Sequence, residues 1–132
     1  MDADTIADLF SAFGAVAVRG MFGGRGLFAD GLMFAIEVDG IIYLKADEAF
    51  AGALSARGAV PFSYVAQGRV RTMRGYWSVP EAALDDAEDL AALSRRALAL
   101  ARAAAAAKAR SGTGKGAAGK SGTGPRRRGA QD

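Results

Sequence analysis

The sequence contains no cysteine and no histidine. The missing thiols exclude a disulfide framework, a thiolate nucleophile and an iron–sulfur centre. The two absences together exclude zinc sites built on Cys and imidazole, and both Ser–His and Cys–His triads. Any catalysis would fall to carboxylates, Lys, Tyr, Ser/Thr or a bound cofactor. The lack of cysteine fits a reducing compartment. No apolar run approaches the roughly 18 residues of a membrane-spanning helix. The most Ala-rich stretch, Ala97 to Ala107, is broken by Arg102, and Ala is too weakly hydrophobic to hold a span. The start, Met1-Asp2-Ala3-Asp4, is acidic where a signal peptide needs positive charge. No apolar residue larger than Ala follows Leu100, so the last quarter of the chain cannot build a core.

What is present fits one ordinary domain in 132 residues. Of the 51% hydrophobic content, 31 residues are Ala, so the core must come from the larger side chains before residue 101. Charge divides near the same place. Residues 1–94 carry 7 Lys/Arg and 13 Asp/Glu, a net of −6. Residues 95–132 carry 10 Lys/Arg and one acid, a net of +9. An acidic domain with a basic tail suggests an anionic partner for the tail, or a tail folded onto its own domain.

The patterning alternates between helical and strand periods. Asp4 or Thr5 suits a first N-cap, followed by Ile6, Leu9, Phe10 and Phe13 on one apolar face, with Gly14 as the stop. Two short β segments then meet through the glycines after Met21. Asp30-Gly31 and Asp39-Gly40 are hairpin turns that bracket the strand Leu32–Val38 and precede Ile41–Lys45, a meander of three or four strands. Asp47 caps a helix with Phe50, Ala51 and Leu54 inward, ended by Gly58. Pro61 opens a strand with Phe62, Tyr64 and Ala66 on one face. Gln67-Gly68 turns it into the partner strand Arg69 to Trp77. A short helical stretch covers Pro80 to Leu84, with Pro80 in its first turn. Asp85 caps the last helix, with Glu88 completing a capping box and Leu90, Leu93, Ala97 and Leu100 as its buried stripe. That helix is expected to stop near Lys108 or Arg110. Strands joined by tight turns give a mainly antiparallel sheet covered by helices, a two-layer α+β domain ordered α, three or four β, α, two β, α. The expected organisation is an α+β domain over 1–108 and a disordered Gly/Ser-rich basic tail over 109–132, where Ser111-Gly112-Thr113-Gly114 recurs as Ser121-Gly122-Thr123-Gly124.

Several short motifs have both a chemical and a structural reading. Gly23-Gly24-Arg25-Gly26 resembles a phosphate loop, but strand and turn follow it rather than a helix N-terminus, so it reads as a tight β connection. Asp85, Asp86, Glu88 and Asp89 lack calcium-loop spacing and read as a helix start. Asp47 and Glu48 read as a cap rather than an acid/base pair. Tyr43, Tyr64, Tyr76 and Trp77 read as core or half-buried sheet residues; a stacking platform would need them exposed beside cations. Arg69 and Arg71 share a strand face, with Arg74 on the other face if no bulge intervenes.

The ordered set Met21-Phe22-Gly23-Gly24, Leu27-Phe28, Tyr43-Leu44-Lys45 and Asp47, Pro61-Phe62 and Tyr64, then Tyr76-Trp77 and Val79-Pro80-Glu81 resembles the N-terminal domain of the TfoX/Sxy family over about residues 5–105. The resemblance implies a two-layer α+β fold related to secretion-chaperone-like architectures. It implies a regulator of the competence type, a transcriptional co-activator acting with another transcription factor, and it brings no catalytic residues. The better-studied members carry a second, helical domain where this sequence has its basic tail.

The expectation is a non-enzymatic, cytoplasmic, bacterial-type interaction protein without cofactor, metal site or membrane association. Its protein partner would meet Arg25, Arg69 and Arg71. Lys108, Arg110, Lys115, Lys120, Arg126, Arg127 and Arg128 would give largely sequence-independent nucleic-acid affinity. The alternative is a stand-alone protein-binding or chaperone-like domain, homodimeric through its sheet, whose tail only solubilises.

Overall fold

A computed structural model describes residues 1–21 and 23–116, with side chains as far as Arg110. The chain divides into two compact units, Met1–Ala101 and Arg102–Asp132. The first unit holds a six-stranded sheet. Its elements are α1 (Ala3–Leu9), β1 (Ala17–Met21), β2 (Gly24–Ala29), β3 (Leu32–Val38), β4 (Ile41–Lys45), α2 (Glu48–Ala56), β5 (Pro61–Ala66), β6 (Arg69–Ser78), α3 (Glu81–Leu84) and the start of α4 (Ala87–Gly116). The strand order is β1-β2-β3-β4-β6-β5, and every neighbouring pair is antiparallel. The architecture is α+β, with four strands in the first meander.

The turns form where the residues allow left-handed backbone. Asp30 and Gly31, Asp39 and Gly40, and Gln67 and Gly68 all have positive φ. Two consecutive positive φ values match the right-handed twist of the flanking strands, which is why Asp-Gly makes so tight a hairpin.

One side of the sheet carries the core. Leu27, Ala35 and Leu44 form a cross-strand row buried with Ile6 of α1, Phe10 just after it, Phe50 and Leu54 of α2, Ala83 of α3 and Leu90, Ala97 and Leu98 of α4. Phe10 meets Phe34 edge-on with centroids 5.6 Å apart. Arg96 lies 4.5 Å above the centre of the Phe50 ring. Phe10, Phe34 and Phe50 are fully buried; truncating any one to Ala costs roughly 3–5 kcal/mol.

Several local expectations change. Asp2, not Asp4 or Thr5, caps α1: its Oδ1 accepts from the Thr5 amide at 2.8 Å, and Asp4 falls in the first turn. Asp86, not Asp85, caps α4, accepting from the amides of Glu88 and Asp89 at 3.1 Å each. Asp85 is already used, closing α3 with its own N–H. Glu88 therefore sits one position too early for a capping box. Pro80 is the N-cap of α3 rather than a first-turn residue, because its ψ of 141° is still extended. In α4 the fully buried stripe is Leu90, Ala91, Ser94, Ala97, Leu98 and Ala101, while Leu93 and Leu100 flank it half-buried. Ser94 can enter this stripe because its hydroxyl donates to the Leu90 carbonyl at 2.7 Å, leaving no buried polar atom unpaired.

The helix runs on to Gly116, past the stop expected near Lys108 or Arg110. Ala103 to Ala107 favour this continuation; Gly112 and Gly114 each disfavour it by about 1 kcal/mol relative to Ala. Residues 117–132 lie outside the described residues.

Asp47 caps α2 as expected, accepting from the Phe50 amide at 2.8 Å. Arg57, at the end of α2, grips Asp89 in the first turn of α4 with two bonds of 3.1 and 2.5 Å. Arg57 holds Asp89 below its ordinary carboxyl value of 3.8. Both partners reach solvent, so the pair contributes little stability on its own. A carboxyl lowered in the fold stabilises above its unfolded pKa and loses that contribution as pH falls through the folded value. The α2–α4 tie is therefore expected to be intact above pH 3.8 and to loosen as pH drops below it, seen as faster amide exchange at the start of α4. Asp86→Ala is expected to cost about 1 kcal/mol in urea denaturation. Asp85→Ala should cost less than half as much, because its side chain does not cap.

Candidate interaction surface

The two faces of the sheet are unlike. The strands contain a single acidic residue, Glu37. The register places it opposite Arg25 and Ile42, on the helix side. It is only 3% exposed. Its Oε1 accepts from Arg25 Nη1 at 2.9 Å and its Oε2 from the Gly40 amide at 2.8 Å. The Met1 ammonium stands 4.0 Å away, and Arg25 also donates to the Met1 carbonyl. Glu37 thus pins the β3–β4 turn, the start of β2 and the chain start together.

Within the described residues of the first unit, no helix packs on the opposite face. A cross-strand row of Arg19, Gly26, Ile36, Tyr43 and Ser78 runs over it. Phe28 pairs with Met33 and Phe62 with Met73 on the same side. Tyr43 meets Phe62 at 4.9 Å, and Phe62 stacks on Tyr64 at 5.8 Å. Near the middle Met21, Met33, Ile36, Phe62, Met73 and Tyr76 line an apolar groove of about 150 Å³. Gly26 makes room for it: a Cβ there would lie 2.8 Å from the Met21 sulfur and 2.9 Å from that of Met33. Gly24 is tighter still, with a Cβ 2.3 Å from the Glu37 carbonyl oxygen. Gly24 is therefore demanded by close packing against backbone, and Gly23, at φ 71°, by its own conformation; at Gly26 a side chain would have to push aside the flexible methionine ends. The glycine motif is a β connection, as its context implied.

Cations edge this face. Arg19 sits 4.8 Å over the Phe28 ring, and Lys45 5.7 Å from the centre of Tyr76. Arg71 pairs across from Tyr64, and Arg69 from Ala66. Both arginines are exposed. Burial raises the Tyr76 phenol, and burial with the nearby Asp39 charge raises that of Tyr43, so both stay neutral hydrogen-bonding groups. Tyr64, expected to be core or half-buried, is 41% exposed, because β5 is an edge strand. Arg74 lies on the helix side with Trp77 and α2, along an open groove of about 500 Å³. A register shift at Pro61/Phe62 breaks the simple alternation beyond it. In that groove Asp47 is committed to its cap and Trp77 Nε1 to the Arg74 carbonyl.

Of the residues singled out in the sequence, Arg25 is held by Glu37, and Arg69 and Arg71 stand beside the open face. Lys108 and Arg110 are exposed on α4. Lys115 falls in the α4 segment whose side chains are not described, and Lys120, Arg126, Arg127 and Arg128 lie outside the described residues. Sequence reasoning passed over Arg19, Lys45 and the three methionines. One signal was available: β3 reads Leu-Met-Phe-Ala-Ile-Glu-Val, apolar on both faces, which a sheet solvated on one side does not need.

Among the described residues no group of acidic side chains could hold a metal ion, and no helix is long and apolar enough to cross a membrane. The family model of the TfoX N-terminal domain matches residues 8–101. The chain belongs to the TfoX N-terminal domain family. The match covers the end of α1, the whole sheet, α2, α3 and the start of α4, and it ends where the first compact unit ends. Comparison with curated proteins gives no match. Membership of the TfoX family supports a regulatory protein of the competence type, and the family is not known as enzymatic.

Arg25 and Glu37 differ in what each leaves behind. Arg25→Ala strands a buried carboxylate and is expected to cost roughly 2–3 kcal/mol. Glu37→Gln keeps one acceptor oxygen for two donors and turns an NH2 toward the other, but it leaves no charge buried, so it should cost less than Arg25→Ala. Paired chemical denaturation curves at neutral pH check the ranking.

Proposed function

We propose that this TfoX-family chain is a non-enzymatic regulatory module, a co-activator-like domain that engages a protein partner. Its basic tail adds nucleic-acid affinity independent of sequence. The observation that carries the reading is the division of labour across the sheet. One face is committed to the core, and the other is apolar, edged by cations and uncovered by any helix among the described residues of the first unit. An apolar groove rimmed by polar residues is the common form of a binding surface. The described side chains assemble no nucleophile with a base. The tail carries seven Lys/Arg between Lys108 and Arg128, each able to neutralise a phosphate and release a counterion.

A cytoplasmic setting fits the absent cysteines. The alternative, a chaperone-like homodimer, draws on the β5–β6 hairpin, where Val65 and Val70 pair across the strands and are 71% and 73% exposed.

The full-length chain is expected to bind a mixed-sequence DNA duplex with a steep inverse dependence on salt. Replacing Arg126, Arg127 and Arg128 with Ser should reduce the slope of log K against log salt by about 2–3. An unchanged slope removes the tail from the interaction. Sedimentation of the full chain across a concentration series should show a monomer; a dimer would favour the alternative.

A further inference from the structure

We infer that the groove on the helix-free sheet face is a docking site for an acidic amphipathic segment of a partner protein, one that inserts an apolar side chain between the methionines. The inference rests on the proposed role as an interaction module and adds the surface and the chemistry of the occupant.

Three observations converge. The first is the lining. Three of the four methionines, Met21, Met33 and Met73, meet at one groove with Ile36, Phe62 and Tyr76. They come from β1, β3 and β6, so both halves of the sheet contribute. Methionine is unbranched and polarizable, and it moulds to apolar groups of varied shape. Met21 and Met73 are 48% and 40% exposed, which leaves apolar surface open at the groove. The second is size. A cavity near 150 Å³ holds a benzene-sized group, that is, one Phe or Leu side chain.

The third is charge. Residues 1–94 have a net charge of −6, yet their only strand acid, Glu37, is buried on the helix side. Arg19, Lys45, Arg69 and Arg71 stand on the open side. Cations outnumber acids around the groove: Asp39 of the β3–β4 turn is near Tyr43, while Arg25 also lines the groove, and this excess of positive charge is complementary to acids flanking an apolar anchor. The chain's own tail is a poor occupant: it is basic and has no apolar residue larger than Ala. A row of stacked bases fits less well, since Tyr43 packs edge-on against Phe62 at 61° and its ring faces are partly used.

The test uses the full-length chain with carbon-13 methyl-labelled methionine. The probe is a peptide of about 15 residues with Phe and Leu at i and i+4 among Glu and Asp, the spacing of a helix laid in a groove. The methyl signals of Met21, Met33 and Met73 are expected to shift together and saturate. Met73→Glu should abolish the response, and Arg19→Glu with Arg71→Glu should weaken it about tenfold while circular dichroism stays unchanged. Three results overturn the inference: silent methyls, equal binding of the peptide with both anchors changed to Ala, or the same methyl shifts from a single-stranded oligonucleotide at lower concentration. The last would make the face a nucleic-acid platform. Because the duplex salt series reads the tail, silent methyls with intact duplex binding would remove the groove assignment and leave the nucleic-acid part of the proposed function standing.

Discussion

Everything in the first unit hangs on the packing of four helices against one side of a six-stranded sheet. Phe10, Phe34, Phe50, Leu44 and Leu54 meet there with no exposed surface. Burial of apolar area is the dominant favourable term in folding, and a domain near 100 residues has one such layer to spend it in. The core does not extend to the other face. That face keeps half-buried aromatics and methionines, which a second layer of helices would otherwise have covered.

The single strand acid follows from the same division. Glu37 lies on the helix side, where a carboxylate out of water needs partners. It has Arg25 and the Gly40 amide within 2.9 Å. The pair also ties the β3–β4 turn to β2, so a polar contact at the rim of the core helps hold register. On the far side, the same strands carry Arg and Lys with no acid between them. Charge, like hydrophobicity, is sorted by face. That sorting gives the strands of the open face an excess of positive charge inside a domain of negative net charge, with Asp39 near Tyr43 as an acid at its edge.

Much of the fold was legible because its signals are local. Asp-Gly pairs mark turns wherever they occur, since left-handed backbone is cheap for those residues. Asp47 with Phe50 three residues on marks a helix start for the same kind of reason. The caps that moved, from Asp4 or Thr5 to Asp2 and from Asp85 to Asp86, moved by one to three residues. Each cluster offers more than one acid within three residues, and only the chain path decides which one faces the free amides. The stripe of α4 shifted because Ser94, polar on paper, folds its hydroxyl back onto Leu90 and behaves as a small core residue.

The residues themselves determined the family, the α+β class, the hairpins and the division between an apolar chain up to Leu100 and a basic remainder. All of these depend on composition, on spacing and on residues near one another along the chain. Only the tertiary structure decided that Met21, Met33 and Met73 share one groove, that Arg25 belongs to Glu37 while Arg71 stands beside Tyr64, and that four cations surround an apolar surface. Those facts depend on strand order and on bulges at Leu27/Phe28 and Pro61/Phe62. A shift of one residue in register sends a side chain to the opposite face. No local pattern carries that information.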